Sequence, residues 1–125
     1  MSKTKKILII EDDRFLANSY ELAFESDHFQ LTMLYDGESV LETALSFSPD
    51  LILLDIILPK KDGFTVLKEL KSDPITKHIP VVIASNLGQQ EEVAKGKSLG
   101  AVDYIIKSDT SIIEVVKIIK SHLEK

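Results

Sequence analysis

The sequence predicts an α/β protein with a five-stranded parallel sheet that is doubly wound, with five helices covering its two faces. Three observations favour this class. Short apolar runs alternate five times with segments whose apolar residues recur at helical spacing. The runs are almost continuously apolar, as expected of parallel strands buried on both faces. Polar residues follow several of these runs, and the carboxyl ends of the strands are where such sheets bind ligands.

The N-terminal part of the chain predicts a strand, a helix and a second strand. Residues 7–10 are rich in β-branched side chains and predict a buried strand. Either Asp12 or Asp13 can cap the helix that follows. The residues at helical spacing in this helix are Leu16, Tyr20, Ala23 and Phe24. Residues 29–35 form a more polar run, which we expect to be an edge strand.

The middle of the chain predicts two helices around the third strand. The turn at Asp36 and Gly37 leads into the first of them, and Pro49 follows its end. Its apolar face consists of Val40, Leu41, Ala44 and Leu45. Residues 51–54 are the third strand. The helix after it, which we expect to stop before Pro74, carries the apolar residues Phe64, Leu67 and Leu70.

The C-terminal part predicts two more strands and two more helices. Residues 79–84 are the fourth strand, residues 89–99 a helix and residues 104–106 the fifth strand. The apolar side of that helix consists of Val93, Ala94 and Leu99. Ser111 can cap a last helix, in which the residues in register are Ile112, Val116, Ile119 and Leu123. Right-handed crossovers are the expected connection, and we expect the flavodoxin-like strand order 2-1-3-4-5.

Length and composition limit the class of protein. With 125 residues, of which 44% are hydrophobic and 28% charged, we expect residues 1–125 to form a single domain without an output domain. The net charge of −5 argues against direct binding to nucleic acid or to a membrane. The lack of cysteine excludes thiol chemistry and disulfides. No apolar run has the length of a transmembrane span or a signal peptide, so we expect a cytoplasmic protein.

Carboxylates follow the first and third strands. Glu11, Asp12 and Asp13 come in succession after one, and Asp55 closes the other. Taken alone, the acidic run could be a helix cap beside two solvated acids. However, these two strands usually lie side by side in a doubly wound sheet, and crowded carboxylates repel unless a cation lies among them. Hard oxygen ligands without His or Cys predict Mg²⁺ or Mn²⁺ rather than zinc.

A hydroxyl and an ammonium follow two other strands. Ser85 ends the fourth strand and Lys107 ends the fifth. Individually, they could be a turn residue and a solvated charge. Beside the acids, Lys107 could hold an anion next to the metal, and Ser85 could donate one hydrogen bond to it. The anion that needs both a divalent cation and a lysine is a phosphoryl group, with Asp55 as the available nucleophile.

In the order and spacing of these residues the chain resembles the response-regulator receiver domains of two-component signalling. The resemblance is to receiver domains of the chemotaxis-regulator-like, stand-alone type. It covers the chain from residue 7 to about residue 123. The matching segments are ILIIED at 7–12, LLDIILP at 53–59 with Gly63, IAS at 83–85 and GAVDYIIK at 100–107. The resemblance implies a signalling protein, not an enzyme, although it takes part in its own phosphoryl transfer and autodephosphorylation.

The resemblance also implies a metal site. Asp12 would bind Mg²⁺ directly and Glu11 through water, with Asp55 as a further ligand. The backbone carbonyl of Ile57 would be the third protein ligand. Asp13 falls one position late for this set and is expected to start the helix.

For the phosphoryl group, the resemblance implies transfer from a histidine kinase or a phosphotransfer protein to Asp55. Lys107 would bind the phosphate, and Ser85 would bond a phosphoryl oxygen. Ser85 and Tyr104 would then form a switch that signals to a downstream effector protein. Gly96 in the fourth helix costs about 1 kcal/mol relative to Ala, and it fits either a pliable helix or close packing.

Three departures from the family pattern bear on this interpretation. Ser108 stands where the family usually has a proline after a cis peptide bond, and a non-proline cis bond costs about 2.5–4 kcal/mol. We therefore expect either a strained loop or a trans bond with a shifted Lys107. Asn86 replaces a small residue and could narrow access to the phosphoryl group. Ile57 and Leu87 are apolar, which predicts slow autodephosphorylation.

Other functions remain possible from the sequence. A haloacid-dehalogenase-type phosphatase would need a second acid where Ile57 stands, and a flavin-binding protein would need a hydroxyl- and glycine-rich loop where the acids stand. A pseudo-receiver, an interaction module that is never phosphorylated, is the more serious alternative. The intact Asp55, Lys107 and acidic pair argue against a pseudo-receiver, whereas Ser108 and Asn86 leave that alternative open.

Overall fold

The computed structural model of the chain describes residues 4–124. The strands are β1 (Lys6–Ile10), β2 (Gln30–Leu34), β3 (Leu51–Leu54), β4 (Val81–Ser85) and β5 (Asp103–Ile106). The α-helices are α1 (Arg14–Glu25), α2 (Val40–Phe47), α3 (Gly63–Ser72), α4 (Gln90–Ser98) and α5 (Ile112–Leu123). The strands pair in parallel in the order β2-β1-β3-β4-β5. This order confirms the predicted topology. None of the described helices is long and apolar enough to cross a membrane.

Helices bury both faces of the sheet because successive side chains of a strand point to opposite sides. On β1, Ile7 and Ile9 belong to one hydrophobic core, whereas Leu8 and Ile10 belong to the other. Helices α1 and α5 cover the first core, and α2, α3 and α4 cover the second. All four residues of β3 are buried. This central position explains why β3 reads as an unbroken apolar run.

The fourth strand is shorter at its start than predicted. A 3₁₀ turn at Thr76–His78 precedes it, and the N–H of Ile79 donates to the carbonyl of Thr76 at 3.0 Å. Ile79 therefore closes the turn instead of joining the sheet. The buried hydroxyl of Thr76 donates to the carbonyl of Leu70 at 2.7 Å, which anchors the turn to the end of α3.

Two predicted helix faces differ from the observed ones. Leu45 of α2 is 39% exposed, and Ala94 of α4 is exposed as well. On α4 the buried position is Gly96. A Cβ there would lie 2.6 Å from Cδ1 of Ile83 and 3.0 Å from Cδ2 of Tyr104. Close packing against the sheet, one of the two explanations that the sequence left open, therefore accounts for this glycine.

Polar caps begin α1 and α5 as predicted. Asp13 caps α1 and accepts from the N–H of Leu16 at 3.1 Å. This leaves Asp12 outside the helix. Ser111 caps α5, where its hydroxyl accepts from the N–H of Glu114 and the Glu114 carboxylate accepts from the N–H of Ser111. Such a reciprocal cap satisfies two N–H groups that the helix cannot.

Gly63 brings the start of α3 against the loop that follows β3. Its N–H donates to the carbonyl of Ile56 at 2.8 Å. A Cβ at this position would lie 2.2 Å from the carbonyl oxygen of Asp55. Because the obstructing atom belongs to the backbone, a side chain at this position would displace the segment that carries Asp55.

We expect Gly63→Ala to lower the free energy of unfolding by about 1–3 kcal/mol, the usual cost of forcing extra atoms into a packed site. Urea unfolding followed by circular dichroism measures the change. The control is Gly88→Ala, because a Cβ at that position meets the end of the Ile106 side chain at 3.0 Å. That side chain can rotate away, so we expect a change below about 0.5 kcal/mol. Equal losses in the two variants would contradict the explanation.

Candidate functional site

The predicted acidic residues converge at the carboxyl ends of β1 and β3. These strands pair in parallel with Ile10 opposite Leu54, so the residues that follow leave the sheet side by side. One carboxylate oxygen each from Glu11, Asp12 and Asp55 lies within 4.8 Å of the other two. The strand order therefore brings together acids that are more than 40 residues apart in the sequence.

Asp55 is buried, with 5% of its surface exposed. Its Oδ1 accepts from the backbone N–H of Ile56 at 2.6 Å and of Ile57 at 3.3 Å. Its Oδ2 accepts from Nζ of Lys107 at 2.7 Å. One oxygen is thus held by the backbone of its own loop and the other by a flexible side chain.

Lys107 bridges two carboxylates. Its Nζ lies 2.7 Å from Oε1 of Glu11 and 2.7 Å from Oδ2 of Asp55, and the Glu11 side chain is only 2% exposed. Burial lowers the pKa of Lys107, but its hydrogen bonds to the two carboxylates outweigh burial, so the pKa is raised. Burial also raises the pKa of Glu11, and the Lys107 ammonium opposes part of that rise. The ammonium is the charge that makes two buried acids tolerable.

The donor set fits a hard divalent cation. Both oxygens of Glu11 already accept hydrogen bonds, Oε1 from Lys107 and Oε2 from the N–H of Asp13 at 3.1 Å. Asp12 is exposed, which leaves room for the water molecules that Mg²⁺ keeps in its coordination sphere. No His or Cys accompanies the three acids in this cluster, so the set does not suit zinc.

The two predicted switch residues contact the same residue of the loop between β4 and α4. Ser85 is fully buried, and its hydroxyl accepts from the N–H of Leu87 at 3.3 Å. The hydroxyl of Tyr104 donates to the carbonyl of Leu87. Burial raises the pKa of Tyr104, so the hydroxyl stays protonated and able to donate. The backbone of Leu87 therefore links the end of β4 to the aromatic ring of β5.

Two of the residues singled out as departures in the sequence, Asn86 and Ser108, contact each other. No peptide bond between residues 4 and 124 is cis, so Lys107 and Ser108 are joined in trans. Of the two expected alternatives the structure shows the trans bond, and Lys107 reaches Asp55 at 2.7 Å. The N–H of Ser108 donates to Oδ1 of Asn86 at 2.9 Å. Sequence reasoning missed this contact, although both residues directly follow predicted site residues on neighbouring strands.

Comparisons with known proteins identify the family. The family model described as response regulator receiver domain matches residues 7–120. The transcriptional regulatory protein CiaR of Streptococcus pneumoniae is 44% identical over 102 residues, which are 82% of this chain and 44% of CiaR. The response regulator PleD of Caulobacter vibrioides is 35% identical over 102 residues, which are 82% of this chain and 22% of PleD. The chain thus spans less than half the length of both relatives.

A solved structure shares the same fold across nearly the whole chain. The crystal structure of the phosphorylated cyanobacterial phytochrome response regulator RcpA matches with a TM-score of 0.83 and 32% sequence identity. The match covers 98% of this chain and 93% of that protein.

We expect Lys107→Met to lower the free energy of unfolding by about 3 kcal/mol in buffer with a metal chelator. The change leaves two buried carboxylates without a positive partner, and this estimate is the low end of the range for such a loss. Urea unfolding at neutral pH measures the change.

Lys60→Met is the matched control. Lys60 also lies near two carboxylates, 3.7 Å from Asp36 and 3.3 Å from Glu38, but its side chain is 60% exposed. Solvent screens this contact, so we expect no measurable loss of stability. If the Lys107→Met protein is as stable as the Lys60→Met protein, the buried ion pair does not contribute to the stability of the fold.

Proposed function

The chain belongs to the family of response regulator receiver domains, which act in two-component signalling, and we propose that it accepts a phosphoryl group on Asp55. The donor is a phosphohistidine of a histidine kinase or of a phosphotransfer protein. The observation that carries this proposal is the position of Asp55, buried at the end of β3 with the Lys107 ammonium 2.7 Å away. That place combines a fixed nucleophile with a positive charge for the incoming anion.

Phosphoryl transfer requires little covalent chemistry from the protein. An oxygen of Asp55 forms a bond to phosphorus, the bond between phosphorus and the imidazole nitrogen of the donor breaks, and the nitrogen keeps the electron pair. The backbone N–H groups of Ile56 and Ile57 hold Oδ1 in place. This supports Oδ2 as the attacking atom. Lys107 then moves its hydrogen bond from Oδ2 to a phosphoryl oxygen.

We further propose Mg²⁺, or Mn²⁺ in its place, as the cofactor. Asp12 and Asp55 would hold it directly, Glu11 through water, and Ile57 through its backbone carbonyl. The exposure of Asp12 and the hydrogen bonds on both oxygens of Glu11 support this division. When bound, the ion neutralises negative charge on the phosphoryl oxygens.

The signal would leave the site through Ser85 and Tyr104. A phosphoryl oxygen attracts the Ser85 hydroxyl, which then no longer accepts from the N–H of Leu87. Because Tyr104 donates to the carbonyl of the same residue, its ring shifts with the loop. The surface formed by α4 and β5 changes, and a downstream effector protein, not nucleic acid or a membrane, reads that change. Such a population shift needs contacts that differ between the two states, and the phosphoryl group supplies them.

Mass spectrometry of the intact protein tests phosphorylation. After incubation with phosphoramidate and Mg²⁺, we expect an adduct of one phosphoryl group, and none after Asp55→Asn or after addition of a chelator. Asp13→Asn is the control, because Asp13 caps α1 beside the site and its variant is expected to keep the adduct. No adduct on the unaltered protein with several phosphodonors would favour the pseudo-receiver alternative.

Loss of the phosphoryl group is expected to be slow. Ile57 is 56% exposed beside Asp55, and an apolar side chain cannot orient an attacking water molecule. The Ile57→Asn variant places a polar group at this position. It should shorten the half-life of the adduct roughly tenfold, which corresponds to a decrease of about 1.4 kcal/mol in the activation free energy of hydrolysis. Ile57→Met keeps the position apolar and serves as the control. A half-life of seconds in the unaltered protein, or equal half-lives in the two variants, would contradict this.

A further inference from the structure

A hydrogen bond outside the acidic cluster joins the loops that carry Ser85 and Lys107. The N–H of Ser108 donates to Oδ1 of Asn86 at 2.9 Å. Asn86 directly follows Ser85, which is buried and lies opposite Ile106 in the pairing of β4 with β5. Ser108 directly follows Lys107. The bond therefore ties the backbone on one side of the lysine to the residue that directly follows β4.

Lys107 needs such support because β5 ends one residue before it. Lys107 begins a 3₁₀ turn, Lys107–Asp109. The far end of the turn is held by Thr110, whose N–H donates to the carbonyl of Lys107 at 3.3 Å and whose hydroxyl donates to the carbonyl of Ile106 at 2.9 Å. Both of these bonds stay within β5 and the turn that follows it. The bond to Asn86 instead connects the turn to the residue that follows β4.

We propose that Asn86 is a positioning residue that holds the Lys107 backbone so that its ammonium reaches Asp55. The inference rests on the proposed function for its effect on phosphoryl transfer. The chemical basis of the proposal is that residue 108 is a serine, which has a backbone N–H to donate. A proline at this position has no N–H, and a side-chain oxygen at residue 86 would then have nothing to accept. Asn86 thus complements Ser108.

The consequence for transfer follows from how strongly catalysis depends on position. A flexible four-carbon stem separates Nζ of Lys107 from the backbone, so a fixed backbone limits the positions that the ammonium can take. A catalytic group that is misplaced by a fraction of its contact distance loses much of its effect on the rate. In the proposed function Lys107 also holds the incoming anion, so its displacement affects donor binding as well as transfer. Loss of Asn86 should therefore lower the maximal rate of phosphoryl transfer and raise the KM for a small phosphodonor.

A double-mutant cycle tests the proposal. Rates of adduct formation with phosphoramidate and saturating Mg²⁺ are measured for the unaltered protein, Asn86→Ala, Ser108→Pro and the double variant. We expect Asn86→Ala to lower the maximal rate roughly three- to tenfold, the effect of losing one hydrogen bond. In the Ser108→Pro background the same change should have no effect, since no donor is left. Asn18→Ala makes the same substitution at an exposed position of α1 and is the control.

A second measurement needs no phosphoryl transfer. Nuclear magnetic resonance relaxation of the Lys107 ε-methylene group reports how well the side chain is ordered in the metal-free protein. Asn86→Ala should lower this order, while the melting temperature and the order of Lys71, a lysine anchored elsewhere by bonds to the carbonyls of Lys77 and Ile79, stay as they were.

The outcomes separate the two proposals. Unchanged rates and unchanged order of Lys107 in Asn86→Ala would overturn the positioning role. An equal loss of rate in both backgrounds would overturn it as well, because Asn86 would then act without the N–H of Ser108. If the unaltered protein forms no adduct, the proposed phosphorylation fails, and the order of Lys107 alone decides whether Asn86 positions it.

Discussion

The ion pair of Lys107 with Asp55 and Glu11 is the contact on which the site depends. The two acids end adjacent central strands, where their side chains are only 6% and 2% exposed. Two carboxylates so close and so buried repel each other unless a cation compensates them. The cation comes from a residue that is 52 positions from Asp55 and 96 from Glu11 along the chain. The site therefore exists only when the sheet is complete.

This arrangement also prepares the site for its proposed chemistry. In the resting protein the ammonium neutralises the acids, and on phosphorylation it would turn to a phosphoryl oxygen close by. The positive charge is present before the reaction begins, and little of the structure has to move to bring it to the phosphoryl group. Such preorganisation is how proteins stabilise developing charge. The same lysine would thus stabilise the fold and assist the reaction.

The sequence predicted the parallel sheet and the convergence of acids at two strand ends, because apolar runs and the rules of parallel sheets indicate both. The strand order was expected from the flavodoxin-like class and not from any local pattern. The sequence did not predict which residues of α4 are buried, since Gly96 has no side chain to signal its close contact with Tyr104. It also missed the bond between Asn86 and Ser108. That contact depends on the register of two strands and the direction of a side chain, which local patterns do not encode.

The two bonds to Leu87 have a consequence for the kind of signal that the protein can send. Ser85 occupies the N–H of that residue and Tyr104 occupies its carbonyl. The backbone of one residue thus connects Ser85 at the end of β4 with Tyr104 of the edge strand β5. On the proposed function, phosphorylation would remove the first of these contacts and leave the second, so the loop would be released from β4 while it stays bonded to β5. The receiver would then signal by freeing a loop that is held at both strands in the unphosphorylated protein.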